Sequence, residues 1–247
     1  MIRKKGNNKT IKLVWDDLEV LSLAAAHRFL TACNKSIANQ GVFSVALSGG
    51  STPKRLYELL STPGFSRNID WKKVLLFWGD ERLVPHSHPD SNYRMVKETL
   101  LEKIKIPKKN IFPIPTRGRP QDCALEYEKR IKAALGRSPS FDLMLLGMGD
   151  DGHTASLFPG TSILAENKKL VKEVWVEGRQ SWRISCTYPL INRSKDLLLL
   201  VSGSNKAPVI KRVFSTRQQK NPFPVEGLQL RKGTITWLID EAANGGS

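Results

Sequence analysis

The feature that most constrains the fold is an alternation of short apolar runs with segments of helical periodicity. The apolar runs predict buried strands at residues 11–15, 42–47, 74–78, 141–146, 171–176, 183–187 and 196–201. Helices are predicted at 17–40, 53–60, 92–103, 122–135 and 205–214, and residues 233–240 form a strand that leads into a helix. This alternation is typical of a mainly parallel sheet covered by helices. We therefore predict one α/β domain over residues 11–247.

The charge of the chain is strongly positive, with 39 lysine and arginine residues against 23 aspartate and glutamate residues. Such an excess suggests nucleic-acid binding, but the basic residues are spread along the chain without a recognised DNA- or RNA-binding pattern. We therefore expect a basic surface that attracts small anions, and no specific nucleic-acid partner. A flexible basic tail is expected over residues 1–10, within a cluster of Arg3, Lys4, Lys5, Lys9 and Lys12.

Other composition features point to a cytoplasmic protein with no membrane partner. No apolar run approaches the ~20 residues that span a bilayer, and no apolar segment follows the charged N-terminus. The three cysteines are far apart, which favours neither a disulfide framework nor a structural zinc site. His86, His88 and Asp90 offer a metal-binding pattern, but solvated loop residues are commoner, so we expect no metal. No sequence feature indicates an oligomeric state, and we expect a monomer.

Two segments that follow predicted strands are candidates for ligand binding, because ligands of open α/β sheets bind at the carboxyl ends of strands. Residues 48–53 read SGGSTP and precede a helix, whose free amides attract phosphate; the alternative is an ordinary turn capped by Thr52. This loop matches no nucleotide-binding motif. Asp80 and Arg82 follow the strand at 74–78, where solvated charges are the alternative interpretation.

Two further segments complete the set. Residues 147–156 read GMGDDGHTAS and place His153, which can take a proton near neutral pH, beside Asp150 and Asp151. The alternative is a histidine whose hydrogen bonds are satisfied within the loop. Lys206 opens the helix after the strand at 196–201, where its charge opposes the helix dipole unless it meets an anion. Together the four segments predict a sugar-phosphate site at one edge of the sheet.

The same segments resemble the glucosamine-6-phosphate isomerase/6-phosphogluconolactonase family over nearly the whole chain. The matching motifs are LSGGSTP at 47–53, WGDER at 78–82, PDSNY at 89–93, GMGxDGHTASLFP at 147–159, RIS at 183–185, VSGxxKA at 201–207 and WLID at 237–240. The resemblance implies a single Rossmann-like α/β domain with no bound nucleotide. It also implies a hydrolase without metal or cofactor that converts 6-phospho-D-glucono-1,5-lactone to 6-phosphogluconate in the oxidative pentose phosphate pathway.

The resemblance also implies roles for individual residues. His153 is expected to take a proton from the attacking water and return it to the ring oxygen, with Asp151 orienting the imidazole. Arg82 is expected to stabilise the oxyanion and Asp80 to position Arg82 or the water. Whether the arginines serve the phosphate or the oxyanion stays open. The expected phosphate-binding residues are Ser48, Gly49, Gly50, Ser51, Thr52, Arg183 and Lys206.

Three alternative functions stay open. The isomerase/deaminase branch carries a glutamate five residues after the matching histidine and a tyrosine at the matching arginine. This chain has Phe158 and Arg82 there, which favours the lactonase branch. A non-catalytic sugar-phosphate-binding module is the second alternative, although such effector domains accompany a DNA-binding element and no room for one exists before Ile11. Nucleic-acid binding is the third, and it rests on charge alone.

Overall fold

The structure is a computed structural model that describes residues 2–5, 8–215 and 221–246. The strands in these ranges are β1 (Ile2–Lys5), β2 (Asn8–Trp15), β3 (Phe43–Leu47), β4 (Val74–Trp78), β5 (Asp80–Arg82), β6 (Ile111–Phe112), β7 (Leu143–Leu146), β8 (Val171–Val176), β9 (Ser181–Cys186), β10 (Asp196–Val201) and β11 (Thr234–Asp240). The helices are α1 (Leu18–Gln40), α2 (Ser51–Ser61), α3 (Pro63–Ser66), α4 (Asn92–Thr99), α5 (Pro120–Leu135), α6 (Tyr188–Ile191), α7 (Ala207–Val213) and α8 (Glu241–Asn244).

One large sheet organises the molecule, with the strand order β1-β2-β11-β10-β7-β3-β4-β6. Only the β1–β2 pair is antiparallel; every other neighbouring pair in this sheet is parallel. The predicted mainly parallel α/β fold flanked by helices is therefore confirmed. Because the parallel strands share one direction, the segments that follow β3, β4, β7 and β10 emerge at the same edge of the sheet.

The core explains why the central strands read as continuous apolar runs. Every residue of β3 and β7 is buried, as expected for parallel strands covered on both faces. The largest side chains with no exposed surface include Trp78, Tyr57, Tyr127 and Phe29. Burial of this apolar surface stabilises the sheet that positions the strand ends.

A second sheet, which the sequence analysis does not predict, has the antiparallel order β5-β9-β8. The segments that form β8 and β9 are predicted as strands, but Asp80–Arg82 is predicted only as a polar segment that follows the strand at 74–78. Its three polar residues lack the apolar pattern that signals a strand. The pairing of β5 with β9 brings two distant charged segments together, and this pairing shapes the site described below.

Part of the segment for which a flexible tail is predicted, residues 1–10, lies in strands. Ile2–Lys5 pairs antiparallel with β2, and β2 begins at Asn8 and pairs in parallel along β11. Residues 1, 6 and 7 lie outside the described part of the chain.

Two predicted helices are shorter than expected. The helix predicted at 92–103 ends at Thr99, and a separate 3-10 turn follows at Leu101–Lys103. The helix predicted at 205–214 begins with the 3-10 turn Ser204–Lys206, and its α-helical part is Ala207–Val213. Among the described helices, none has the length and apolar character needed to cross a membrane.

Candidate functional site

A cavity of about 340 Å³ opens where the strands of the large sheet end. Its wall contains the segments that follow β3, β4, β7 and β10, together with part of β9. Every residue predicted for the site except Asp151 lines this cavity. These residues are Ser48, Gly49, Gly50, Ser51, Thr52, Asp80, Arg82, His153, Arg183 and Lys206.

The loop after β3 forms one wall of the cavity and leads into α2. Gly50 precedes this helix with φ +103°, a value that side chains disfavour, and no side chain among the described residues caps the helix. Thr52 is therefore not the N-cap. The Tyr57 hydroxyl fixes the loop, because it accepts a hydrogen bond from Ser48 N at 2.9 Å and donates one to Ser48 O at 2.8 Å. This arrangement leaves the first amides of α2 available to an anion.

Three cations line the cavity. The register of the second sheet places Arg82 of β5 directly opposite Arg183 of β9, and Lys206 ends the 3-10 turn after β10. None of the three forms an ion pair within 4.0 Å in the described part of the chain. Arg82 Nε is buried without a described hydrogen-bond partner. Arg82 Nη1 donates to the backbone oxygen of Asp90, and the carboxylate of Asp80 lies in the same wall. The wall therefore offers three positive charges, none of which is held in a described ion pair.

The environment of Arg183 shows what this clustering does to its charge. Burial lowers the pKa of the Arg183 guanidinium; the carboxylate of Asp80 opposes this effect, whereas the charge of Arg82 adds to it. Arg183 Nε donates to Ser181 Oγ at 3.2 Å, and the guanidinium lies 6.0 Å from the Phe158 ring centre. An anion in the cavity would offset the repulsion between the two guanidinium groups.

His153 and Asp151 form a pair in the loop after β7. The Nδ1 atom of the ring lies 2.5 Å from Asp151 Oδ1, which also accepts from the backbone N–H of His153 at 3.0 Å. Because a carboxylate only accepts hydrogen bonds, Nδ1 carries the proton, and Nε2 of the neutral ring keeps a lone pair. Burial raises the pKa of Asp151, but its hydrogen bonds from His153 outweigh this effect and lower it overall. Asp151 thus acts on the ring from outside the cavity.

The loop is shaped closely around this pair. A Cβ atom at Gly149 would overlap His153 Nδ1 and would lie 2.5 Å from Asp151 Oδ1. Phe158 stacks on the imidazole with ring centres 4.0 Å apart and an angle of 25°. Ala155, which also lines the cavity, has φ +47°, an unusual value for a residue with a side chain. The imidazole is therefore held by packing on one face and by a carboxylate at its edge.

Asp80 is buried and connects the second sheet to the loop that carries His153. Its Oδ2 accepts from Ser156 Oγ at 2.6 Å, and its Oδ1 lies 3.4 Å from Asn92 Nδ2. Ser156 N donates in turn to Ser185 Oγ of β9 at 3.1 Å. The described contacts of Asp80 include no hydrogen bond to Arg82, so the expectation that Asp80 positions Arg82 directly is not supported by its contacts.

Several residues that line the cavity have no role predicted from the sequence. Asn92 begins α4, and Ser202 and Asn205 follow β10. Asp240 at the end of β11 fixes the turn after β10, because it accepts from Ser202 Oγ at 2.5 Å and from Gly203 N at 3.1 Å. The motifs at 89–93, 201–207 and 237–240 contain these residues. Polar residues are common in loops, however, so the sequence alone did not identify them as part of the site.

The described residues contain no group of three or more histidine, cysteine, aspartate or glutamate side chains arranged to hold a metal ion. In the segment considered for this purpose, His86 Nε2 contacts Ile114 O at 2.9 Å, and His88 Nδ1 lies 3.8 Å from a carboxylate oxygen of Asp90. The two histidines therefore have separate partners.

These features define an α/β protein with a cavity at the carboxyl edge of its sheet, lined by three cations and by an imidazole that is paired with a carboxylate. The family model of glucosamine-6-phosphate isomerases/6-phosphogluconolactonase matches residues 16–237, so the chain belongs to this family.

Related proteins agree with this assignment. A protein of Nostoc named 6-phosphogluconolactonase is 38% identical over 240 residues, which cover 95% of this chain and 97% of that protein. A Synechocystis protein of the same name is 40% identical over 218 residues, covering 86% and 88% of the two chains. The solved structure of 6-phosphogluconolactonase from Trypanosoma cruzi superposes with a TM-score of 0.85 at 29% identity, covering 96% of each chain.

Proposed function

We propose that this chain hydrolyses 6-phospho-D-glucono-1,5-lactone to 6-phosphogluconate, a step of the oxidative pentose phosphate pathway. One observation carries the proposal: a carboxylate-paired imidazole shares a cavity with three cations that form no ion pair among the described residues. The names of the relatives support the choice of substrate. In such a substrate the phosphate would contact the cations, and the lactone ester at the other end of the sugar would lie near the imidazole.

The phosphate is assigned to the loop that precedes α2. Its dianion would accept from the amides of Gly49, Gly50 and Ser51, with the side chains of Ser48 and Thr52 beside them and the Lys206 ammonium as a counter-charge. Charge-assisted hydrogen bonds of this kind fix an anion in position. Such anchoring converts the attack on the distant ester into a reaction within one complex.

The imidazole is assigned the proton transfers. Nε2 of neutral His153 takes a proton from water as the water oxygen bonds to the C1 carbonyl carbon, and Asp151 stabilises the imidazolium that results. The carbonyl oxygen becomes an oxyanion. When the bond between C1 and the ring oxygen breaks, the imidazolium returns the proton to that oxygen. The products are a carboxylic acid, which ionises in water, and a free hydroxyl.

The two arginines are assigned to the negative charges of the substrate. Arg82 and Arg183 lie opposite each other in the register of the second sheet, so the two guanidinium groups enter the cavity from neighbouring strands. We assign Arg82 to the oxyanion, and Arg183 to the phosphate. Donors held in place before the reaction stabilise charge that develops in the transition state.

The isomerase/deaminase alternative is not favoured by the surroundings of His153. That branch of the family uses a glutamate at the position of Phe158, and here the Phe158 ring stacks on the imidazole. A phenyl ring neither donates nor accepts a proton. The ring-opening step of an amino sugar phosphate therefore lacks its acidic group.

The proposal is tested by measuring proton release after addition of 6-phospho-D-glucono-1,5-lactone, freshly prepared by oxidation of glucose 6-phosphate. The rate of spontaneous lactone hydrolysis is subtracted. We expect the wild-type protein to accelerate proton release. His153→Ala should lower kcat by about 10²–10⁴-fold with KM nearly unchanged, because loss of a general base acts on the chemical step.

The matched control is His88→Ala, which removes an exposed imidazole outside the cavity and should leave kcat unchanged. Full activity of His153→Ala would exclude the proposed mechanism. Release of ammonia from glucosamine 6-phosphate, without lactone hydrolysis, would replace the proposed function by the isomerase alternative.

A further inference from the structure

Asn92 is a buried side chain in the cavity wall that the proposed mechanism does not use. It is only 2% exposed, and it begins α4 immediately after the N-cap residue Ser91. Its backbone N–H donates to Glu81 Oε1 at 2.8 Å, which ties α4 to β5. The position of Asn92 is therefore fixed by the second sheet and does not depend on a substrate.

The orientation of the Asn92 amide follows from its partner. Nδ2 lies 2.9 Å from the backbone oxygen of Asp80. A backbone oxygen only accepts hydrogen bonds, so the nitrogen of the amide must face it and the oxygen must face the other way. A Cβ atom at Gly49 would overlap Asn92 Oδ1, so this oxygen lies against the phosphate loop. The amide thus presents an acceptor between Asp80 and the loop.

The wall of the cavity is rich in donors, and Asn92 adds a buried acceptor to those of Asp80, Asn205 and the serine and threonine hydroxyls. Arg82, Arg183 and Lys206 donate only, and the amides at the start of α2 also donate. Asp80 Oδ2 is engaged by Ser156 Oγ at 2.6 Å. The hydroxyls at C2, C3 and C4 of a sugar lactone donate hydrogen bonds as well as accept them. In a buried site, each donated bond requires an acceptor in the wall.

We propose that Asn92 determines specificity for the sugar ring: its Oδ1 accepts a hydrogen bond from one ring hydroxyl of the lactone. This inference rests on the proposed function, because it assigns one more contact to the same substrate. Its location between the phosphate loop and Asp80 places the contact on the middle of the substrate, between the phosphate and the ester. Asn92 therefore favours substrates that carry a hydroxyl at the contacted ring position.

The experiment compares kcat/KM for the parent lactone with the values for its 2-deoxy, 3-deoxy and 4-deoxy analogues. We expect wild-type protein to lose about tenfold in kcat/KM on the analogue that lacks the contacted hydroxyl. Asn92→Ala should lose about tenfold on the parent lactone and should no longer discriminate against that one analogue. A purely structural role would lower all four values by the same factor.

Asn110→Ala is the matched control. Asn110 is also buried, and its Nδ2 donates to the backbone oxygen of Lys72 at 2.9 Å, but it does not line the cavity. This variant should leave the ratios between the four lactones unchanged. Gly49→Ala provides a second test, because the added methyl group overlaps Oδ1 and should abolish the same discrimination; denaturant unfolding checks that the variant is folded.

Several outcomes overturn the inference. It is wrong if Asn92→Ala keeps the wild-type ratios between the lactones. It is also wrong if the wild-type kcat/KM for each of the three analogues lies within about twofold of the value for the parent lactone, because no ring hydroxyl then contributes to recognition. This outcome does not depend on whether the variant folds. If the wild-type protein hydrolyses none of the lactones, the proposed function fails as well, which distinguishes the two failures.

Discussion

Asp151→Asn tests the pair that the mechanism depends on most. Asp151 Oδ1 accepts from both Nδ1 and the backbone N–H of His153, at 2.5 Å and 3.0 Å. Because both donors need an acceptor, the amide of the variant keeps its oxygen in this place, and the ring keeps its tautomer. The variant therefore removes the negative charge and leaves the hydrogen bonds.

The magnitude follows from the exposure of the pair. A hydrogen bond to a charged group contributes about 1.5–3 kcal/mol and one between neutral groups about 0.5–1.5 kcal/mol, so the charge itself adds about 1–1.5 kcal/mol. The side chain of Asp151 is 43% exposed, and solvent screens its charge, so we expect the lower end of this difference. A loss of about 1 kcal/mol in the transition state lowers kcat by roughly fivefold. KM should stay close to the wild-type value because Asp151 does not line the cavity.

The assay is proton release from the lactone at saturating substrate, and Asp150→Asn is the matched control. Asp150 precedes Asp151 and is exposed, so its variant removes the same charge from the same loop without touching the imidazole. Asp150→Asn should retain the wild-type kcat. The reasoning is refuted if Asp151→Asn keeps the wild-type kcat, or if both variants lose activity equally.

We also expect the effect of Asp151→Asn on the free energy of unfolding to depend on pH. The pKa of Asp151 is lowered in the folded protein, so its carboxylate stabilises the fold above the ordinary carboxyl pKa. This contribution disappears as the pH falls through the lowered pKa, because the wild-type side chain then becomes neutral like asparagine. The difference in free energy of unfolding between wild type and Asp151→Asn should therefore shrink in acid. A difference that grows in acid, measured by denaturant unfolding, would contradict this sign.

Further variants test the walls of the cavity against matched controls elsewhere in the chain. Lys206→Ala should raise KM for the lactone by about tenfold with kcat retained, because a charge-assisted contact is lost, while Lys211→Ala on the exposed face of α7 should not. Tyr57→Phe and Tyr127→Phe should each lower the free energy of unfolding by about 1–3 kcal/mol, because each hydroxyl bridges a buried backbone N–H and C=O; only the first should also raise KM. Gly149→Ala should lower kcat more than loss of the neighbouring carboxylate charge, because its methyl group overlaps the imidazole. Steady-state kinetics and denaturant unfolding measure these effects. A wild-type kcat for Gly149→Ala would contradict the last expectation, because the loop after β7 would then have moved to accommodate the methyl group.

Most of the fold was predictable because buried parallel strands need apolar side chains on both faces. The runs that became β3, β4, β7 and β10 carry that signal directly. The convergence of the segments that follow them was predictable for the same reason, since parallel strands end at one edge. The candidate phosphate loop and His153 were found through this geometry and the glycines around them.

Asn92 shows why the rest of the site was harder to predict. It lies in a polar segment where serine, asparagine and aspartate are common, and its importance depends on which groups surround it. Those groups are the backbone oxygen of Asp80 and the phosphate loop at Gly49, which are distant from it in the sequence. No periodicity or local motif reports such a contact, because it exists only after β5 and α4 have packed together.

The two arginines show how an unfavourable local arrangement can point to function. Like charges directly opposite each other on antiparallel strands are destabilising, and burial of Arg183 adds to the cost. A neutral pair would serve the pairing of β5 with β9 better if stability were the only requirement. An anion bound near both guanidinium groups would offset this repulsion, so an arrangement that is unfavourable without a ligand would favour the binding of an anion. Sequence reasoning assigned Arg82 and Arg183 separate places in the site and had no means to pair them, because β5 has no apolar residue to mark it as a strand.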